Sequence, residues 1–179
     1  MKQLIKNILR LLVAPLRFLL NLFTRDRSKQ LGEIKKITCP NDKFLPQVRQ
    51  VISEGHTATI SVKGYSMRPF LEHARDKVIL SPFTTLAVGD AVLAEIAPGV
   101  FVLHRIIRMD GGNITLMGDG NVRGVEYCRY ENVAGVVTTY LRNGRKISSS
   151  SKRLQRAVRL WRALLPVRRY LLFVYKLFL

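Results

Sequence analysis

The sequence predicts a mainly β domain carrying an amphipathic helix at each end. Three observations predict it. The hydrophobic pattern has a helical period in residues 1–27 and 148–179, but between residues 55 and 140 it changes to a period of two with short β-branched runs. Turn residues punctuate that middle part: Ser81-Pro82, Val88-Gly89-Asp90, Pro98-Gly99 and Asp110-Gly111-Gly112. The charge is uneven. Of a net +18 over 179 residues, residues 1–27 contribute +5 and residues 152–179 contribute +8.

The head places Leu4, Ile5, Ile8, Leu11, Leu12, Leu19, Leu22 and Phe23 on one helical face, with Pro15 as a kink. Arg10 and Arg17 interrupt its apolar run, so it reads neither as a membrane span nor as a signal peptide. Residues 28–40 are polar and read as a linker. The spacing of Phe44, Leu45, Val48, Val51 and Ile52 predicts a helix over 41–54 that stops at Gly55. Strands are expected at 57–63, 77–80, 90–96, 100–108, 113–117 and 132–140. Residues 41–147 thus form one domain. The serines at 148–151 read as a flexible joint before the tail, residues 148–179. In the tail, Leu154, Ala157, Val158, Trp161, Leu164 and Leu165 oppose Lys152, Arg153, Arg156, Arg159 and Arg162, and Pro166 interrupts.

A hydrophobic fraction of 47% excludes disorder of the whole chain. Two cysteines, Cys39 and Cys128, make neither a disulfide scaffold nor a zinc-ligand spacing, so no metal or cofactor is expected. A nucleic-acid binder would carry its basic stripe on the folded domain. Here the charge sits in two amphipathic ends, which suit an anionic membrane surface, with packing on the domain or a partner as the alternative. Oligomeric state is not legible.

Three segments carry chemistry. Ser66 lies between Gly64 and Pro69 after a strand, where a tight turn can expose a nucleophilic hydroxyl. His104 lies within a strand and is a natural base near neutral pH. Asp119 lies in the turn Gly118-Asp119-Gly120-Asn121. Each alone is weak, because such turns are common and a lone strand histidine is more often structural.

Together and in this order they resemble the S24/S26 serine peptidases, which include the signal peptidases I and LexA-type self-cleaving repressors. Gly64-x-Ser66-Met67-x-Pro69 is similar to the serine box of that family, and Gly89-Asp90-Ala91-Val92 to the strand that follows it. Leu103-His104-Arg105-Ile106 stands where most members carry Lys-Arg, and Gly118-Asp119-Gly120-Asn121 resembles the Gly-Asp-Asn box. The resemblance covers residues 55–140. It implies an S24/S26 (LexA/signal-peptidase-like) β core and a Ser66–His104 pair like that of the archaeal and endoplasmic-reticulum signal peptidases. Asp119 is then the expected acid orienting His104, with Glu126 as a weaker candidate. The Ser66 backbone N–H is the expected oxyanion donor. Met67 and Phe70 are expected in the core, and Arg105 on the other face of its strand, structural or solvated. His56 and His73 read as unremarkable turn residues.

The function expected is that of a membrane-associated serine endopeptidase acting on peptide or precursor substrates. Its expected place is the cytoplasmic face of the inner membrane, as a peripheral protein. The alternatives are a catalytically silent peptidase-like module at the membrane, a signal peptidase, or a self-cleaving LexA-like regulator. The last is disfavoured because the head has no DNA-binding pattern.

Overall fold

The computed structural model describes residues 41–176. The expected head helix, the linker and Cys39 lie outside the described residues. Helix α1, Asn41–Ser53, precedes eight strands: β1 Ala58–Ser61, β2 Lys77–Ser81, β3 Ala91–Ala97, β4 Val100–Asp110, β5 Asn113–Met117, β6 Glu126–Arg129, β7 Val133–Arg142 and β8 Arg145–Ser148. Helices α2, Lys152–Ala163, and α3, Arg168–Lys176, follow. The strands form one antiparallel sheet in the order β1-β2-β7-β3-β4-β5-β6, and β8 pairs with β7.

Alternation along β3 sorts the core into two clusters. Ala91 and Leu93 join the larger one, while Val92 and Ala94 join the smaller. The larger cluster takes Val48 and Ile52 of α1, Met67, Phe70 and Leu71 of the segment after β1, and residues of α2 and α3. The smaller contains Ile106, Ile114, Leu116 and Val133, with Phe83 and Leu86 packed against it. The Tyr130 hydroxyl ties that loop down by donating to the Thr84 carbonyl at 3.0 Å.

Six strands fall within two residues of their expected ends, and two strands were not expected. β8 follows the loop Asn143-Gly144, whose φ angles of +48° and +73° make the two-residue hairpin that joins Arg142 to Arg145. β6 is short and half polar, and it pairs Glu126 with Leu116.

The tail departs from expectation in two ways. Residues 148–151 are no loose joint: Ser148 ends β8, and the Ser149 N–H donates to the Thr138 carbonyl at 2.9 Å. The face expected to enter a bilayer instead packs on the domain. Leu154, Ala157, Val158 and Trp161 are buried in the larger cluster, Trp161 completely. The cause is that a helical apolar stripe satisfies a sheet face as well as it does a lipid surface. Pro166 does interrupt the tail, which passes through the 3-10 turn Leu165–Val167 into α3. Among the described residues no helix is long and apolar enough to cross a membrane.

Tyr175 closes α3 onto the domain by donating its hydroxyl to Glu72 Oε1 at 2.9 Å. Burial, together with the bond and the charge of Glu72, pushes the Tyr175 pKa up to about 12. An unfolded tyrosine titrates near ~10, so the folded chain holds this proton more tightly. Its contribution to stability is complete below about pH 10 and is lost as the pH rises through about 12. Thermal unfolding midpoints should therefore fall across that window, and Tyr175→Phe should shrink the fall.

Candidate active site

The chain leaves β1 at Ser61 and turns at Gly64, whose φ of +86° favours glycine. The following turn carries Ser66. Met67, Phe70 and Leu71, at most 2% exposed, anchor it in the core, while Tyr65 stays 57% exposed. The Leu71 N–H donates to the Met67 carbonyl at 3.0 Å.

The Gly118–Asn121 segment lies directly against that turn. The Gly120 N–H donates to the Ser66 carbonyl at 2.7 Å. A side chain at Gly118 would come within 2.5 Å of the Ser66 carbonyl oxygen and 3.0 Å of the Ser66 Cβ. One at Gly120 would come within 2.7 Å of the Tyr65 carbonyl. Both glycines serve close approach of two backbones.

His104 lies on β4, next to Arg105. Arg105 pairs with Met117, so the next step in that register sets His104 beside Gly118. Opposed residues of an antiparallel pair project to the same face. The Cβ position on Gly118 that meets Ser66 therefore lies on the His104 side. The imidazole is buried, and its Nδ1 stands 2.8 Å from Glu126 Oε2 on β6.

Asp119 does not orient His104, contrary to expectation. It faces Arg105, which donates through Nε to Oδ1 at 2.8 Å and through Nη2 to Oδ2 at 2.5 Å. The reason is strand alternation: His104 opposes Val92 of the smaller cluster, and Arg105 opposes Ala91 of the larger. Arg105 is on the other face, as expected, but buried rather than solvated. Its remaining branch donates to the Gly89 carbonyl at 2.7 Å, and its guanidinium lies 5.2 Å from the Phe70 ring centroid. Burial opposes its charge most strongly of any single cause, but Asp119 and Tyr140 together outweigh it and raise the pKa.

Two tail residues also shape the site and were not foreseen. Trp161 Nε1 donates to the Asp119 carbonyl at 2.7 Å. Arg168, buried at 3% exposure, donates to the carbonyls of Asn121 at 2.9 Å and Trp161 at 3.2 Å. The tail thereby holds the Gly118–Asn121 segment from behind. The only available sequence signal was an aromatic at a helical core spacing.

Two cavities lie elsewhere. One of about 220 Å³ sits between α2 and the sheet beside Asp90, Tyr140 and Val158. An open cleft of about 870 Å³ borders Glu95, Tyr127 and Cys128. Neither is lined by Ser66 or His104. Among the described residues no group of three or more His, Cys, Asp or Glu side chains could hold a metal ion.

The chain matches no protein-family model and no curated protein.

The two acids should separate by stability. Asp119→Asn leaves Arg105 charged in the core without its partner and should cost about 3–5 kcal/mol in denaturant unfolding. Glu126→Gln, on a half-buried edge-strand side chain, should stay within about 1 kcal/mol of the parent.

Proposed function

We propose that the chain is a membrane-associated serine endopeptidase of S24/S26 type, with Ser66 as nucleophile and His104 as base. The reading is supported by the β4–β5 register, which one step beyond Arg105–Met117 opposes His104 to Gly118, by the packing of Gly118 against the Ser66 turn, and by Glu126 on Nδ1 of the imidazole. Glu126, not Asp119, takes the orienting role. With Nδ1–H donated to Glu126, Nε2 is the acceptor for the Ser66 proton.

The Ser66 Oγ attacks the scissile carbonyl as its proton passes to Nε2. The tetrahedral intermediate collapses, the C–N bond breaks, and the imidazolium returns the proton to the leaving amine. Water activated by the same nitrogen then releases the acyl group from Ser66. Glu126 offsets the charge that forms on His104. The Ser66 N–H is the proposed oxyanion donor, of which each is worth about 3 kcal/mol. Extended substrates suit β1, which ends the strand order and leads into the serine turn.

Cleavage is tested by comparing the peptides of cells carrying the parent chain with those of cells carrying Ser66→Ala. Products should vanish with Ser66→Ala and with His104→Ala, and Glu126→Gln should slow their formation by about a hundredfold. Identical peptide populations would leave a silent module.

For the membrane, the supporting surface is α3. Residues 152–176 hold eight basic and no acidic side chains. Tyr170 and Phe173, 63% and 64% exposed and one turn apart, project from α3, whose exposed cations are Arg169 and Lys176. Aromatic side chains among cations suit the interface of an anionic bilayer. Tyr170→Ser with Phe173→Ser should weaken co-sedimentation with anionic phospholipid vesicles by about tenfold or more. Unchanged sedimentation would remove α3 from the contact.

A further inference from the structure

His73 stands beneath the start of the serine turn, although its sequence position suggested nothing. It lies in the loop between that turn and β2. The Ala74 N–H bonds to the Val62 carbonyl and the Val62 N–H to the Asp76 carbonyl, both at 2.9 Å, so the loop is fixed against the strand end. From there His73 Nδ1 accepts the Gly64 N–H at 2.9 Å. The His73 and Tyr65 rings also touch, with centroids 5.3 Å apart. No atom lies within 4 Å of where a Gly64 Cβ would be, so packing does not hold this residue on that side. The hydrogen bond to His73 does.

We propose that His73 is a positioning residue for the Ser66 turn and that it acts only as the neutral imidazole. This rests on Ser66 as the nucleophile. A nitrogen that accepts an N–H carries no proton of its own, so the His73 proton is on Nε2. Protonation puts a second N–H on Nδ1, pointing at the Gly64 N–H. The bond is then replaced by two donors facing each other, two residues before Ser66. The charged and titratable groups around it come from this stretch, from β7, where Arg142 lies 3.9 Å from Asp76, and from α3, where Tyr175 donates to Glu72. Lys63 precedes Gly64. Arg68 lies 4.1 Å from the Tyr65 ring centroid and pairs with Glu72 at 2.8 Å. Arg75 pairs with Asp76 at 2.8 Å. Both carboxylates are thus already engaged by other groups, and His73 is exposed.

Two variants of the full chain test this. His73→Asn can present a carbonyl oxygen where Nδ1 stood and does not titrate; His73→Leu offers no acceptor. In ¹⁵N-labelled protein followed by NMR, the Gly64 amide of the parent should shift with the same midpoint as the His73 ring. It should not shift in His73→Asn, and in His73→Leu it should sit at the acid-limit position at every pH. In peptide cleavage, the parent should lose about tenfold more rate on acidification than His73→Asn, beyond the loss both share through His104. A parent Gly64 amide that ignores the His73 titration overturns the proposal. So do identical acid limbs in parent and His73→Asn. A Gly64 amide that follows His73 in a chain that cleaves nothing supports the latch and overturns the peptidase reading instead.

Discussion

The surroundings of Ser66 depend on one buried ion pair, Arg105 with Asp119. Taking both charges out of water costs several kcal/mol for each. The cost is offset because the guanidinium fork meets both carboxylate oxygens and keeps its third branch for the Gly89 carbonyl. So satisfied, the pair cannot move without exposing an unpaired charge, and the segment Gly118–Asn121 is fixed to β4. That segment in turn meets the Ser66 turn through backbone alone, at Gly118 and Gly120. The permanent charge of Arg105 is neutralised on one face of the strand while His104 projects from the other.

Much of the sheet was legible from the sequence, because period-two alternation and glycine-rich turns come from forces local to each strand. The site was legible only in part. Ser66 and His104 stand out by residue type and by the boxes around them, whereas the choice of acid is a tertiary matter. Asp119 is the natural candidate from the sequence because it is the acid of Gly118-Asp119-Gly120-Asn121, which resembles the Gly-Asp-Asn box. Glu126 is the weaker candidate from the sequence because Val122-Arg123-Gly124-Val125 separate it from the Gly118–Asn121 box. Once β6 exists, Glu126 opposes Leu116, Leu116 opposes Ile106, and His104 is two residues from Ile106 on the same face. The strand that the sequence does not reveal is what brings Glu126 to His104.

The tail shows a different limit. Leu154, Ala157, Val158 and Trp161 at helical spacing, backed by cations, specify a helix with one apolar side and do not specify what covers it. The sheet decides, because its larger face would otherwise stand bare beyond α1. Lys152, Arg153, Arg156 and Arg159 of α2 remain on the surface, and the exposed aromatic residues of the tail are Tyr170 and Phe173 of α3. Sequence periodicity identified the stripe correctly and assigned it to the wrong solvent.

The hold of the tail on the Gly118–Asn121 segment has a consequence for the order in which the protein is made. Ser66, His104 and Glu126 leave the ribosome well before Trp161 and Arg168, the residues that grip the carbonyls of Asp119 and Asn121. Until those two emerge, Gly118–Asn121 lacks its backing and the larger core lacks its cover. Translation thus delivers the Ser66 turn and the Gly118–Asn121 segment first and the brace behind them last.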